Sequence, residues 1–162
     1  MKQSTAQHPG GALLAHPSGL GRRSPRQPAV LAWLRMMRLY HRLSRTSAEH
    51  LRAWSLTPAQ FDVLAHVGAA EGVTQQELAD ALLVTKGNIC QLLDRMEGAG
   101  LIARCQEGRA NRLHLTPAGR ALYAEAVPAH EALIAAQFAA LSSAEQGQLL
   151  GLLRRLDHAA RG

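Results

Sequence analysis

The sequence predicts a mostly α-helical protein, and three observations lead there. After residue 28, apolar residues recur three and four positions apart, the period of a helix with one buried face. Apolar residues make up 47 % of the chain but aromatics only 4 %, so leucine and alanine, both good helix formers, fill the interior. Helix starts are also written into the chain as Ser or Thr followed three positions later by Gln or Glu, a pattern in which two side chains satisfy free backbone amides reciprocally. At 162 residues, one domain with an extension is expected, large enough to bury a core without disulfides.

The elements follow in chain order. Residues 1–27 are rich in Gly, Pro and Ser, carry Lys2, Arg22, Arg23 and Arg26 without an acid, and show no periodicity; they read as a disordered basic arm. Val30, Trp33, Leu34, Met37, Tyr40 and Leu43 then step at helical spacing, predicting a helix over 28–53 with an arginine stripe on another face. Thr57 with Gln60 and Thr74 with Glu77 start helices over 58–70 and 74–81, and Ser142 with Glu145 starts one over 143–159. Thr116-Pro117 opens a helix over 117–139, which Pro128 should kink or split. Another helix, 85–97, ends at Gly98-Ala-Gly100. Between residues 100 and 116 polar and apolar residues alternate around Gly108, which predicts a two-stranded hairpin.

The segment TQQELADALLVTKGNICQLLDRM holds the chemistry. Leu78, Ala79, Leu82, Val84, Ile89 and Leu92 form the inward pattern of two short helices packed at a steep angle, so the break at Leu82–Val84 is expected to be a turn buried against its neighbours. Thr85 caps the second helix. Ile89, Leu92, Leu93 and Met96 share one side of that helix, and Gly87, Asn88, Gln91, Asp94 and Arg95 share the opposite one. Lys86 and Asn88 lie in the first turn, where free amides and the positive helix end favour phosphate. Asn and Gln can pair bidentately with adenine in a major groove, and Gly87 permits close approach.

The hairpin behind this helix carries Arg104, Arg109 and Arg112 against Glu107, and guanidinium groups on a projecting ribbon suit a minor groove or a phosphate clamp. A helix-turn-helix followed by such a ribbon is a winged helix. Net charge is +6, yet residues 56–118 hold five basic and seven acidic side chains. Local placement rather than bulk charge therefore has to carry any nucleic-acid argument, and a helical protein-interaction module without DNA binding is the alternative function.

LTPAQFDVLAHV, TQQELADALLVTKGNICQLLDRMEGAGLI and RANRLHLTPAGRALY, in this order and spacing, resemble the MarR family of bacterial transcription regulators. The similarity covers about residues 30–158. It implies a mostly α winged helix-turn-helix with a two-stranded β wing. The reading lobe is then 56–118, and helices 28–53 and 117–160 pair in a homodimer, all within a domain of residues 28–162. The resemblance implies a sequence-specific, ligand-responsive repressor on a pseudo-palindromic duplex, with Thr85, Lys86, Gly87, Asn88, Gln91, Arg95, Arg104, Arg109 and Arg112 as the DNA-facing set. It also implies a crevice for a small-molecule effector, for which Trp33, Met37, Tyr40, Trp54 and Phe61 are the candidate lining, with plain core packing at helical spacing the favoured alternative for them. Where the family's wing carries Asp-x-Arg, this chain has Glu107 and Arg109 on a shorter wing, and the family's redox-sensing cysteine near the first helix is absent.

Other chemistry is not expected. His130-Glu131 begins a zinc-protease-like run, but the position of the second histidine is Ile134. No GxSxG, Walker loop or GxGxxG occurs. His41, His50 and His66 are the histidines weighed for a metal site, with packing or surface roles favoured, so no enzyme activity, metal or cofactor is expected. Cys90 and Cys105 lack a CxxC, which fits a reduced cytoplasmic protein, with Cys90 as a small filler beside the reading face. No stretch approaches the roughly 18 apolar residues of a membrane span.

Overall fold

The computed structural model describes residues 27–108 and 110–160. The expected basic arm lies outside these residues apart from Gln27. By compactness the chain divides after Met36 into two units. The described part of the first is the opening of α1 (Pro28–Leu51), where Leu31, Trp33 and Leu34 are exposed. The second, from Met37, carries the rest of α1 and every other element.

In that second unit α1 ends at Leu51, two residues earlier than the periodicity indicates, and passes into a single 3-10 turn, Arg52–Trp54. Leu51 and Leu56 on either side of the turn are buried and anchor it. α2 (Pro58–Ala69) starts as the sequence predicts: the Thr57 hydroxyl accepts from the Gln60 amide at 3.3 Å, and the Gln60 side-chain oxygen accepts from the Thr57 amide at 2.9 Å. α3 (Gln75–Ala81) repeats the device with Thr74 and Glu77. The Thr74 amide and hydroxyl hold the Glu77 carboxyl below the usual carboxylate range. α4 (Lys86–Gly98) is capped by the Thr85 hydroxyl, which accepts from the Asn88 amide. It ends where Gly100 takes φ +69°, a left-handed conformation that glycine adopts without strain.

A hairpin of β2 (Ile102–Glu107) and β3 (Ala110–Leu115) follows, in antiparallel register with Arg104 opposite Leu113 and Cys105 opposite Arg112. The expected two-stranded sheet has a third member. β1 (Val73–Thr74) pairs antiparallel with β3, giving the order β1-β3-β2. Two residues are too few to show alternation, and Thr74 also serves as the cap of α3, so the sequence displays only its second role. Pro128 lies inside α5 (Pro117–Gln137) and does not split it. Ala126, Val127 and His130 are buried around that position, and their packing holds the helix together despite the missing amide.

The core joins α2, α3, α4 and the sheet through Leu64, Leu78, Ile89, Leu93, Met96 and Leu113, all fully buried. The LT-x-x-G stretch docks α5 onto it. The Thr116 hydroxyl donates to the Gly100 carbonyl at 2.6 Å and accepts from the Gly119 amide. Gly119 has no substitute there, because a Cβ would fall on the Leu101 carbonyl oxygen. α6 (Ser143–Ala160) contrasts with these elements: none of its residues is buried, and Leu150, Leu152, Leu153 and Leu156 are exposed. Among the described residues no helix is long and apolar enough to cross a membrane.

The turn between α3 and α4 differs from expectation. Leu82 is half-buried, but Leu83 is 86 % exposed and Val84 39 %, so the turn is not buried. The cause is conformational: Leu83 sits at φ +54°, which turns its side chain to solvent while the Leu82, Leu83 and Val84 amides bond back to the carbonyls of Leu78, Asp80 and Ala79. A left-handed leucine costs about 1–2 kcal/mol, more than the roughly 0.5–1 kcal/mol of chain entropy that a glycine would add. Since Leu83 makes little contact, Leu83→Gly is expected to raise unfolding free energy by about 0.5–1 kcal/mol in a denaturant titration. A loss of stability would mean that the leucine is held by contacts rather than strained.

Candidate nucleic-acid interface

α4 presents the face that the wheel assigns to it. Ile89, Leu93 and Met96 are fully buried beneath it, and Leu92 is half-buried. Thr85, Lys86, Gly87, Asn88, Gln91 and Arg95 are all exposed. Thr85 is committed to capping the helix. The exposed set has two amide side chains in its first half and cations at Lys86 and Arg95, with open space around Gly87. Cys90 is half-buried on the flank, with its Sγ 3.8 Å from Gln75 Nε2, consistent with the filler role.

The three arginines of the hairpin do not behave alike. Arg109 lies outside the described residues. Arg104 folds back onto α4: Nη2 donates to Asp94 Oδ1 at 2.7 Å and to the Cys90 carbonyl at 3.3 Å, Nη1 donates to Glu97 Oε2 at 2.8 Å, and its side chain is only 20 % exposed. Arg112 donates to the Gly72 carbonyl at 2.7 Å and pairs with Glu107 at 2.7 Å. Both guanidinium groups are therefore engaged within the lobe. Sequence reading missed this because it treated each hairpin cation as available, whereas the acceptors sit on α4 and on the approach to β1.

These pairings also engage part of the acidic surplus of residues 56–118. Arg104 pairs with both Asp94 and Glu97 and offsets one of their two charges, and Arg112 offsets Glu107. Glu71 pairs with Arg120 at 2.9 Å, which holds its carboxyl below the usual range, and Glu77 is absorbed by the α3 cap. Five of the seven acids are thus engaged by an arginine or a helix cap, while Lys86 and Arg95 are exposed.

The effector candidates separate too. Trp33 and Tyr40 are exposed at 56 % and 61 %, and Met37 is half-buried. Trp54 and Phe61 come together around two histidines that the sequence did not pair. Phe61 lies 4.4 Å from His130 between ring centroids, His130 lies 5.7 Å from His50, and His50 meets Trp54 at 5.2 Å. His130 is 5 % exposed. Its Nδ1 and the Nε2 of His50 are buried without a hydrogen-bond partner, which is a costly arrangement for polar groups. His50 therefore meets His130 rather than His41 and His66; the His66 ring Nδ1 lies 2.8 Å from the Asp62 carbonyl oxygen. Among the described residues no group of three or more His, Cys, Asp or Glu gathers to hold a metal ion.

Known proteins share this arrangement. The MarR family profile matches residues 54–112. An HTH-type transcriptional regulator of Bacillus cereus is 35 % identical over 120 residues, 74 % of this chain and 82 % of the relative. The chain belongs to the MarR family. Its fold is that of Staphylococcus aureus MepR in a complex with DNA, with TM-score 0.72 and 24 % identity over 80 % of this chain and 97 % of that one. Bordetella bronchiseptica BpsR, whose DNA binding is regulated by 6-hydroxynicotinic acid, aligns with TM-score 0.71 and 26 % identity over 82 % and 98 % of the two chains. Such MarR-family chains are transcriptional regulators, not enzymes.

The buried histidine makes this regulator sensitive to acid. Burial first, and the neighbouring His50 second, hold the His130 imidazole below its usual range, with Asp62 opposing. A group that takes up protons less readily folded than unfolded loses stability as pH falls through its unfolded value, about 6.5 for histidine. Thermal unfolding from pH 7.5 to 5.5 should therefore show a steeper loss for the natural chain than for His130→Leu. Parallel curves would remove His130 as the cause.

Proposed function

We propose that this MarR-family regulator is a homodimeric, ligand-responsive repressor that reads a pseudo-palindromic duplex. The observation that carries the reading is the exposed face of α4, where Asn88, Gln91, Lys86 and Arg95 point away from a fully packed underside. Asn88 and Gln91 read base edges in the major groove, and Lys86, Gly87 and the capped helix start at Thr85 take phosphate. Arg109 supplies the wing's contact. Arg104 and Arg112, being engaged within the lobe, serve by shaping it.

Uncovered apolar surface supports the homodimer. Most helical stability comes from packing an apolar face, yet α6, 18 residues long, has no fully buried residue, and α1 exposes Leu39 and Tyr40. The segments 28–53 and 117–160, which hold α1, α5 and α6, supply the dimer contacts. Two reading helices must sit about 34–36 Å apart to meet successive major grooves. A small ligand that alters this spacing is thereby coupled to DNA release. The cluster of His50, Trp54, Phe61 and His130, with two unsatisfied imidazole nitrogens, suits a small aromatic effector bearing a polar group, and BpsR supplies a precedent of that chemistry in a relative. A DNA target fits a cytoplasmic location.

Duplex binding measured at several salt concentrations tests the reading. Log affinity should fall steeply with log salt, and Lys86→Ala should reduce that slope by about one while weakening all duplexes alike. Asn88→Ala or Gln91→Ala should instead cost about 1–3 kcal/mol on a duplex selected from genomic fragments and little on random duplex. A flat salt dependence for the natural chain would favour a protein-interaction module in place of a DNA reader.

A further inference from the structure

We propose that Arg104 is a positioning residue for sequence recognition: it fixes the angle between α4 and the wing and masks two acids, and it makes no contact with DNA itself. The proposal rests on the reading of α4 as the groove-reading helix. Cys90, Asp94 and Glu97 stand four and three positions apart, so their acceptors line up along one flank of α4, between its buried underside and its exposed face. The Arg104 guanidinium spans that row. One nitrogen donates to Asp94 and to the Cys90 carbonyl, the other to Glu97, and the Arg104 backbone amide adds a 3.3 Å bond to the other Glu97 oxygen.

The geometry has two consequences. Arg104 pairs in register with Leu113 at the centre of the hairpin, so a planar fork rooted in β2 and gripping two turns of α4 restrains the ribbon against both sliding and rotation along the helix. A flexible ammonium cannot reproduce this grip. Charge is the second consequence. The Asp94 and Glu97 side chains are 65 % and 41 % exposed, beside a face that meets phosphate. Unpaired, they would repel the duplex.

The double variant Asp94→Asn/Glu97→Gln separates positioning from direct contact, because the two roles predict opposite signs. It removes two negative charges from the lobe and leaves the Arg104 guanidinium held only by weaker, neutral acceptors. If Arg104 were a phosphate contact restrained by those acids, the variant would tighten binding to every duplex. Positioning predicts divergence: random duplex binds more tightly, while the duplex selected from genomic fragments binds about tenfold more weakly, the size of one lost base-pair contact. Arg104→Lys, which keeps the charge and loses the fork, should lower the selected-to-random ratio similarly with an unchanged salt slope. Equal tightening on both duplexes, or a lysine variant that keeps the ratio, overturns the proposal while leaving the DNA-reading function intact. If the natural chain binds no duplex at any salt concentration, the functional reading falls and this proposal falls with it.

Discussion

The structure depends on one act of burial. Ile89, Leu93 and Met96 leave water completely on the underside of α4, each contributing about 1.5–3 kcal/mol, against a core supplied by α2, α3 and the sheet. A helix anchored along one side can rotate neither way without exposing those residues, so its remaining sides are fixed in space. The positions of Asn88 and Gln91 follow from the apolar residues between them. The αL kink at Leu83 and the Thr85 cap set where the helix begins, and Gly100 sets where it stops.

Charge is distributed by the same logic. A lobe with more acids than bases is a poor ligand for DNA when judged in bulk, yet five of its seven carboxylates are engaged internally: at the cap of α3, in the Arg104 fork, in the Glu107–Arg112 pair and in the Glu71–Arg120 pair. Exposed ion pairs of this kind add little stability, about 0–1 kcal/mol each. Their effect is to weaken the negative field beside the exposed cations of α4, Lys86 and Arg95. Elsewhere in the second unit, His50 and His130 keep unsatisfied nitrogens in a setting of Trp54 and Phe61. A packed core would not retain such groups for stability alone.

What the sequence made legible was local. Thr57, Thr74, Thr85 and Thr116 mark helix starts because capping is settled within four residues, and the buried and exposed faces of α4 follow from its period. The features that escaped depend on distant partners or on backbone geometry. β1 is only two residues long and is defined by β3, far along the chain. Leu83 has no propensity that announces a left-handed conformation, so an apolar turn looked buried. Arg104 carries the residue type of a phosphate contact, and only the folded chain brings Cys90, Asp94 and Glu97 beneath it. Likewise nothing in the local pattern pairs His130 with His50 until α5 brings the two rings together.

Hydroxyl-radical footprinting of the full chain, with and without duplex selected from genomic fragments, tests the central claim most directly. The account predicts that Met96 and Leu93 stay unmodified throughout, and that the peptide containing Lys86, Asn88 and Gln91 is modified in the free protein and protected when the duplex binds. Modification of Met96 in the free chain, or a polar face of α4 already protected without DNA, would contradict it.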